Sequence, residues 1–279
     1  MVIGGFSMPN VQADLSEGFF AEIHEKEVST NFVLEKHLHK YHEIYLLLEG
    51  NTKYFVNNEI INLNKNEAAF VKSGYIHKAS YDNARYSKRM LICFTTEFIG
   101  ERYLGMLNLL GKRKLLSFND SELFNAFLKI YTEFENKEHQ YLEQCRNLLR
   151  GIIIELSRLQ DSPATQQLSN NEALIQSAAK YISSHLNENL SLHTLAKICA
   201  MSDSYFSRTF KQYTGLGVSK YIKLKRLQKA EKLLVLNKYT ITEIAFDCGF
   251  NDSNYFISEF KKHRGITPLQ FAKMSRENQ

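Results

Sequence analysis

The chain carries the same short pattern twice near its C-terminal end. "TLAKICAMSDSYFSRTFKQYTGLGV" runs from Thr194 to Val218, and "EIAFDCGFNDSNYFISEFKKHRGITP" runs from Glu243 to Pro268. Equivalent residues are first 49 positions apart, as Leu195 and Ile244 are, and later 50 apart, so the second copy has one extra residue in its turn. Two copies are too few for a solenoid, and the repetition therefore indicates a duplicated module.

Each copy is typical of a helix, a tight turn and a second helix. The spacing i, i+3, i+4, i+7 predicts the apolar face of a short first helix at Leu192, Leu195, Ala196 and Cys199. Ser202 in the first copy, and Asp252 or Asn251 in the second, is placed to cap the second helix. Gly215 and Gly265 are expected to end it. Its inward-facing aromatic residues are Phe206 and Phe210, with Phe256 and Phe260 in the second copy.

The outer face of each second helix stays free for a partner. Short polar side chains near a helix N-terminus reach base edges in the major groove, arginine bonds guanine bidentately, and lysine neutralises phosphates. A solvated helix face is the alternative, but two basic copies that both end in Phe-Lys-x-x-x-Gly favour double-stranded DNA as the partner. The candidate DNA-binding residues are Ser204, Ser207, Arg208 and Lys211, then Ser253, Asn254, Ile257, Ser258, Lys261 and Lys262.

Between the copies, "SKYIKLKRLQKAEKLLVLN" is an unbroken helical pattern. A helix of about eighteen residues at ~1.5 Å per residue spans ~27 Å. That length is close to the ~34 Å between successive major-groove faces of B-DNA. The spacing predicts that one chain reads two adjacent turns of DNA, with a rigid spacer helix setting the interval.

Charge and composition divide the chain in the same place. From residue 174 onward there are 16 Lys and Arg against 8 Asp and Glu, a net charge of +8, whereas the remainder holds 19 against 22. A basic C-terminal third indicates that only one domain binds a polyanion. The polar stretch "DSPATQQLSNN" favours a linker, so we predict domains at 1–160 and 174–279 joined by 161–173.

The absence of a long apolar run or of a signal-like N-terminus leads us to expect a cytoplasmic protein with no membrane contact. The four cysteines are widely spaced and are expected to be reduced core residues.

Residues 30–95 alternate in short bursts rich in β-branched and aromatic residues, which predicts a small antiparallel sandwich or barrel with a hairpin at Asn57-Asn58. The period then becomes helical, with two helices predicted to join near Asn136. The second helix has a broad apolar stripe, formed by Leu142, Cys145, Leu148, Leu149, Ile152, Ile153 and Leu156. Packing on the sheet and a helix-to-helix homodimer contact both explain this stripe.

The C-terminal pattern resembles the AraC/XylS family of bacterial transcription regulators over roughly residues 174–275. "LSLHTLAKICAMSDSYFSRTFKQYTG" is similar to the family's first helix-turn-helix, "RLQKAEKLL" to its linker helix, and "ITEIAFDCGFNDSNYFISEFKKHRGITPLQF" to its second signature. The resemblance implies DNA binding through both recognition helices and, commonly, activation of transcription, with RNA polymerase as a further candidate partner. Ser258 stands where the family usually has arginine, so the second helix is expected to contribute mainly phosphate contacts through Lys261 and Lys262.

The N-terminal half resembles a cupin. "HLHKYHEIYLLLEG" is similar to the first cupin motif and "NEAAFVKSGYIH" to the second. In metal-binding cupins the residues matching His37, His39, Glu43 and His77 are ligands, but Asn66 and Lys72 depart from the second motif. Alternation along an extended strand puts residues 37, 39 and 43 on one face and His42 on the other.

We therefore predict an α+β protein that is not an enzyme. Its N-terminal part is a cupin-like sandwich or barrel with a helical dimerisation segment, and its C-terminal domain is all-α with two helix-turn-helix motifs joined by a linker helix. We expect no metal ion and no other cofactor, and a small-molecule effector, carbohydrate by preference because of the nearby tyrosines. The alternatives are a fatty acid or other apolar ligand as the effector, or an N-terminal domain that is a metal-dependent cupin enzyme. The candidate ligand-binding residues are His37, His39, Glu43, Tyr45 and His77.

Overall fold

The computed structural model describes residues 15–27, 39–80, 86–113, 115–117, 121–159 and 168–277. His37 of the candidate ligand site lies outside these ranges. The chain divides into two compact units, residues 1–167 and residues 168–279. The first unit combines antiparallel sheets with helices and the second is helical, which confirms the predicted α+β class.

The first unit holds two antiparallel sheets. The five-stranded sheet has the order β1-β7-β2-β5-β8, and the three-stranded sheet has the order β4-β3-β6. The strands are β1 (Phe19–Glu27), β2 (His42–Glu49), β3 (Thr52–Val56), β4 (Glu59–Leu63), β5 (Glu67–Val71), β6 (His77–Ser80), β7 (Tyr86–Phe94) and β8 (Leu115–Ser117). The predicted hairpin is confirmed, since Asn57 and Asn58 take φ of +41° and +83° between Val56 and Glu59, which pair directly.

The five-stranded sheet is buried on both faces. On β2 the side chains of Ile44 and Leu46 join a core that also includes helical residues, whereas Tyr45 and Leu47 join the core shared with the three-stranded sheet. Because successive side chains of a strand point to opposite faces, β2 reads as an almost unbroken buried run instead of an alternating one. The two faces of this one sheet therefore serve different cores.

Helices cover the outer face of the large sheet. They are α1 (Thr96–Ile99), a 3₁₀ turn at Glu101–Tyr103, α2 (Leu104–Arg113), α3 (Ser121–Asn136) and α4 (Tyr141–Arg158). The helix junction predicted near Asn136 is confirmed. The apolar stripe of α4 is covered within the same chain, because Leu149, Ile152 and Ile153 are fully buried against α3 and the sheet. Packing within the unit thus accounts for the stripe, and a homodimer contact stays a prediction.

The second unit consists of α5 (Asn170–Ser184), α6 (Leu192–Ile198), α7 (Asp203–Thr214), α8 (Val218–Leu236), α9 (Ile241–Asp247), α10 (Ser253–Arg264) and α11 (Pro268–Glu277). Helix α5 begins at Asn170 and therefore includes the last four residues of the predicted linker at 161–173. Ser169 accepts a hydrogen bond from the backbone of Glu172, and the Glu172 side chain accepts one from the backbone of Ser169. This capping box starts the helix inside a stretch whose composition is typical of a loop.

The two copies of the repeat have the predicted helix-turn-helix form. Ser202 and Asp252 cap α7 and α10, and Gly215 and Gly265 end them with φ of +76° and +81°. The residue that takes positive φ in the turn is Ala200 in the first copy and Gly249 in the second. Leu192, expected on the buried face of α6, is instead 36% exposed, because it is the first residue of that helix.

The spacer helix α8 is 19 residues long and contacts helices of both copies. It packs against α7 of the first copy and α9 of the second, and against the flanking helices α5 and α11. Buried residues are consequently spread around its surface instead of forming a single stripe, as Tyr221, Ile222 and Leu227 show. No helix among the described residues is long and apolar enough to cross a bilayer.

Replacing Gly249 with alanine tests the close packing of the second turn. A Cβ atom there would lie 2.0 Å from the carbonyl oxygen of Leu186, and φ is +86°. We expect Gly249→Ala to lower the free energy of unfolding by at least ~1–3 kcal/mol, measured by urea denaturation of the full chain. The matched control is Ala200→Gly at the equivalent position, where ~1 kcal/mol or less is expected. Equal effects of the two substitutions would contradict the packing described for Gly249.

Candidate nucleic-acid interface and His–Glu cluster

Helix α7 presents the predicted polar face to solvent. Phe206 and Phe210 are fully buried, whereas Arg208 and Lys211 on the opposite side are exposed. Of the two serines, Ser204 is exposed and Ser207 half-buried. The structure thus brings all four candidate residues of the first copy onto one accessible face whose N-terminal turn is capped by Ser202.

Helix α10 shows the same division with different chemistry. Asn254, Ser258 and Lys261 are exposed, Ser253 is half-buried, and Ile257 is half-buried because it packs against the core of the second copy. Lys262 is exposed, but its ammonium group lies 2.9 Å from Glu259 Oε1. A DNA phosphate would therefore have to compete with Glu259 for Lys262.

Glu259 is the unexpected group on α10. It is 8% exposed, and its other carboxylate oxygen lies 2.5 Å from the ammonium group of Lys223 on the spacer helix α8. The contacts with Lys223 and Lys262 hold the pKa of Glu259 below its ordinary value. This charged carboxylate is paired with lysines of the protein itself. It therefore connects α10 to α8 and does not face DNA.

Two tyrosines extend the candidate interface beyond the residues expected from sequence. Tyr205 and Tyr255 occupy equivalent places in the first turns of α7 and α10 and are 42% and 52% exposed. The Tyr205 hydroxyl accepts a hydrogen bond of 2.9 Å from the Asn171 side chain of α5. Tyr205 lies one turn before Arg208, and Tyr255 one turn before Ser258, as helical spacing requires. The sequence signal that could have identified them is that both copies of the repeat have tyrosine at this position.

In the first unit, three ionisable side chains meet between the sheets. His39, Glu43 and His77 each offer a ligand atom, and these atoms lie within 4.8 Å of one another. His39 Nε2 is 3.1 Å and His77 Nε2 is 3.6 Å from the same oxygen, Glu43 Oε2. The Tyr54 hydroxyl donates a hydrogen bond of 2.6 Å to Glu43 Oε1. His42 points to the other face, as predicted, where its Nε2 is 3.0 Å from Thr96 Oγ1.

Each histidine of the cluster faces an acceptor with both ring nitrogens. His39 Nδ1 lies 2.9 Å from the carbonyl oxygen of Tyr41, and His77 Nδ1 lies 3.0 Å from that of Tyr75. A neutral imidazole has a single N–H, so only one of its two contacts is a hydrogen bond.

Burial opposes protonation of the cluster. It lowers the pKa of His39, against the opposing effect of Glu43. Burial alone would raise the pKa of Glu43, but His77 and His39 hold it well below the ordinary value. The cluster is therefore an anionic carboxylate between two imidazoles, shaped to receive a cation or hydrogen-bond donors.

Tyr45, the remaining described residue of the candidate ligand site, and its neighbour Tyr41 are placed differently. Tyr45 is 1% exposed and packs in the core, with its ring 4.8 Å from Tyr54 and beneath the Arg89 guanidinium at 5.5 Å. It lies behind the cluster and offers no open surface to a sugar ring. Tyr41 is half-buried and stacks on His39 with ring centroids 3.6 Å apart.

A separate cavity of about 420 Å³ lies in the first unit between β1 and the turn joining α3 to α4. It is rich in aromatic and acidic residues. Its lining includes Phe20, Phe134, Tyr141, Glu17, Glu22 and Glu135.

Comparison with known protein families agrees with this architecture. The family described as AraC-like ligand binding domain matches residues 22–175, which is more than half of the chain. The family described as helix-turn-helix domain matches residues 195–274. The chain belongs to the AraC family of transcriptional regulators. It is a DNA-binding regulator with an N-terminal ligand-binding domain, as the two resemblances seen in the sequence implied.

Curated relatives of this AraC-family chain share its length and arrangement. The transcriptional activator RhaR of Mannheimia succiniciproducens is 29% identical over 250 residues, covering 84% of this chain and 86% of the relative. The activator RhaS of Enterobacter sp. (strain 638) is 26% identical with the same coverage of both chains. Among solved structures, the C-terminal domain of AraT from Geobacillus stearothermophilus is 31% identical over 38% of this chain and 88% of that chain, with a TM-score of 0.36.

Replacing Glu43 with glutamine tests the electrostatics of the cluster. The carboxylate raises the pKa of His39 against the effect of burial, so Glu43→Gln is expected to lower that pKa further. An NMR titration of the imidazole signals measures the shift. The imidazole signal of the exposed His193, in the other unit, serves as the internal control. A rise in the His39 pKa would show that Glu43 is not the charge that faces it.

Proposed function

We propose that this regulator activates transcription by binding two adjacent turns of DNA through α7 and α10, under the control of a small-molecule effector. The observation that carries the proposal is the division of both recognition helices. Their aromatic sides are buried and their polar sides exposed, and the 19-residue helix α8 packs on both copies. At ~1.5 Å per residue this spacer spans ~28 Å, close to one duplex turn.

The two helices have different tasks in this proposal. Arg208, exposed on α7, bonds a guanine bidentately, with Ser204 and Ser207 beside it at the base edges. On α10, Lys261 neutralises a phosphate, and the polar side chains of the first turn approach the bases. Tyr205 and Tyr255, at the start of each helix, add hydroxyl groups that can hydrogen-bond to the DNA backbone. The basic charge of the C-terminal third supports the same partner.

The effector in this proposal is a carbohydrate that hydrogen-bonds to the cluster formed by His39, Glu43 and His77. Imidazole nitrogens and a carboxylate are suitable partners for sugar hydroxyls, and the half-buried ring of Tyr41 stacks on His39 of the cluster. The regulator acts as a homodimer whose two states differ in contacts with the effector. Activation is favoured because RhaR and RhaS are transcriptional activators.

A divalent metal ion is the second candidate effector, because one observation favours it specifically. Both histidines direct Nε2 toward Glu43, while their Nδ1 atoms face backbone carbonyls, which is the arrangement that orients imidazole ligands of metal ions. Two imidazoles and a carboxylate suit zinc and other transition metals. Under this alternative a metal ion would bind to the cluster, where burial disfavours protonation, and the ion would be the effector that the regulator senses.

Substitution of Arg208 and of Lys261 separates base reading from phosphate binding. Arg208→Ala is expected to weaken binding to the preferred site by ~1–3 kcal/mol and to relax sequence choice. Lys261→Ala should weaken binding about equally for all sequences and reduce the salt dependence by about one counterion. Fluorescence anisotropy on a site selected from random duplexes, and on a scrambled duplex, measures both effects. If Arg208→Ala bound both duplexes like the wild type, the proposed base reading would be wrong.

A thermal-shift screen identifies the effector class. Neutral sugars, fatty acids, and zinc, nickel or manganese salts are added separately to metal-free wild-type protein. A sugar present at about 100 times its dissociation constant should stabilise the protein by ~2.7 kcal/mol, and His77→Ala should lose the effect. His193→Ala, which alters an exposed histidine of the other unit, is the control. Stabilisation by metals alone that Glu43→Gln abolishes would favour the second candidate, and no shift in any arm would contradict small-molecule control.

A further inference from the structure

Helix α10 is held against the spacer α8 by a partly buried acid–base cluster. Glu231 of α8 receives two hydrogen bonds from the guanidinium of Arg264, one to each carboxylate oxygen. The Nε2 atom of His263 lies 3.1 Å from Glu231 Oε1. Burial alone would raise the pKa of Glu231, but His263 and Arg264 hold it below its ordinary value. The pair is bidentate and partly desolvated, which makes it directional as well as attractive.

Arg264 links three helices through this contact. Its guanidinium lies 5.5 Å from the ring centroid of Phe271 on α11, and Phe271 in turn packs edge-on against Phe260 of α10 at 5.5 Å. Arg264 therefore sits between a carboxylate of the spacer and an aromatic ring of the last helix. Movement of α10 relative to α8 would break the pair with Glu231, and movement relative to α11 would break the contact with Phe271.

A second tie joins the same two helices further along. Lys223 of α8 reaches Glu259 of α10 at 2.5 Å. The two ties are eight residues apart on α8 and four to five residues apart on α10. One contact lets a helix pivot, but two separated contacts define the angle at which the helices cross. Charge pairing thus fixes the direction in which α10 presents its outer face.

The first copy joins the spacer differently. The positions equivalent to Glu259 and Arg264 are Thr209 and Thr214, and both threonines are buried. The Thr214 hydroxyl donates to the Phe210 carbonyl within its own helix. Phe210 contacts the spacer through an edge-on pair with Tyr221, with ring centroids 5.2 Å apart. The first copy thus has buried threonines and an aromatic contact with α8 where α10 has two ionic ties.

We propose that Glu231 is a positioning residue for the second DNA-reading helix. Through Arg264 and His263 it sets the orientation of α10 on α8, and so selects which bases the second unit meets, without touching DNA itself. The inference rests on the proposed function, in which both helices contact DNA. It assigns to a residue of the spacer a part of sequence recognition that would otherwise be attributed to α10 alone.

The experiment selects binding sites from random duplex DNA with four full-length proteins: wild type, Glu231→Gln, Arg208→Ala and Glu188→Gln. Glu188 is the matched control, since it is exposed in the same unit and contacts Arg226 through its backbone carbonyl. The wild type and the control should enrich a motif of two blocks. Arg208→Ala should lose one block and Glu231→Gln the other. On the wild-type site, Glu231→Gln should bind on the order of tenfold more weakly, a difference that disappears when the second block is scrambled.

Two milder variants distinguish positioning from general stability. Glu231→Asp keeps the carboxylate and should recover much of the second block, and His263→Gln keeps the arginine pair and should weaken that block less than Glu231→Gln does. Equal weakening of both blocks by Glu231→Gln, or an unchanged motif, would overturn the inference. A wild-type motif of a single block that depends on Arg208 would instead refute the two-helix reading on which the inference rests.

Discussion

The packing of one helix against two small modules is the constraint on which the DNA-binding unit depends. A helix-turn-helix of about 25 residues cannot bury enough apolar surface to form a stable core alone. Each copy therefore completes its core on α8, through Tyr221 for the first copy and through Leu227, Ala230 and Leu234 for the second. Because both cores share this rigid element, the interval between the recognition helices follows from the length of α8 and does not vary independently.

Duplication preserved the skeleton of the module and changed the surfaces that matter for specificity. The turn is the clearest case: Met201 and Phe250 donate to equivalent carbonyls, of Ala196 and Ala245, yet the second turn has an extra residue and passes close to Leu186. A turn held this tightly explains why glycine stands at position 249 and alanine is accepted at 200. The same asymmetry appears in the contacts with the spacer, because the second copy adds ion pairs through Glu259 and Arg264 to its apolar core, where the first copy has buried threonines.

Sequence periodicity predicted this unit well because the information is local. Caps at Ser202 and Asp252, left-handed glycines after each recognition helix, and aromatic residues four apart are all short-range signals. Tertiary partners are a different matter. Nothing in the spacing of Glu231 or Glu259 distinguishes a buried ion pair from a solvated charge, since both lie on basic helices and find their partners only across a helix crossing. The apolar stripe of α4 was ambiguous for the same reason: a stripe predicts that a face is covered and does not identify what covers it.

The ligand-binding unit shows what alternation along a strand predicts and where it stops. Parity placed Glu43 and His42 on opposite faces of β2, and the structure agrees: one joins the His–Glu cluster and the other contacts Thr96 at the start of α1. The alternation of side chains did not reveal that Tyr45, on the same face as Glu43, is buried in the core against Tyr54 and Arg89. The consequence concerns signalling. Adjacent residues of one strand contact the cluster on one side and the helical layer on the other, so any shift of Glu43 would have to be accommodated by β2, whose opposite face is packed against those helices.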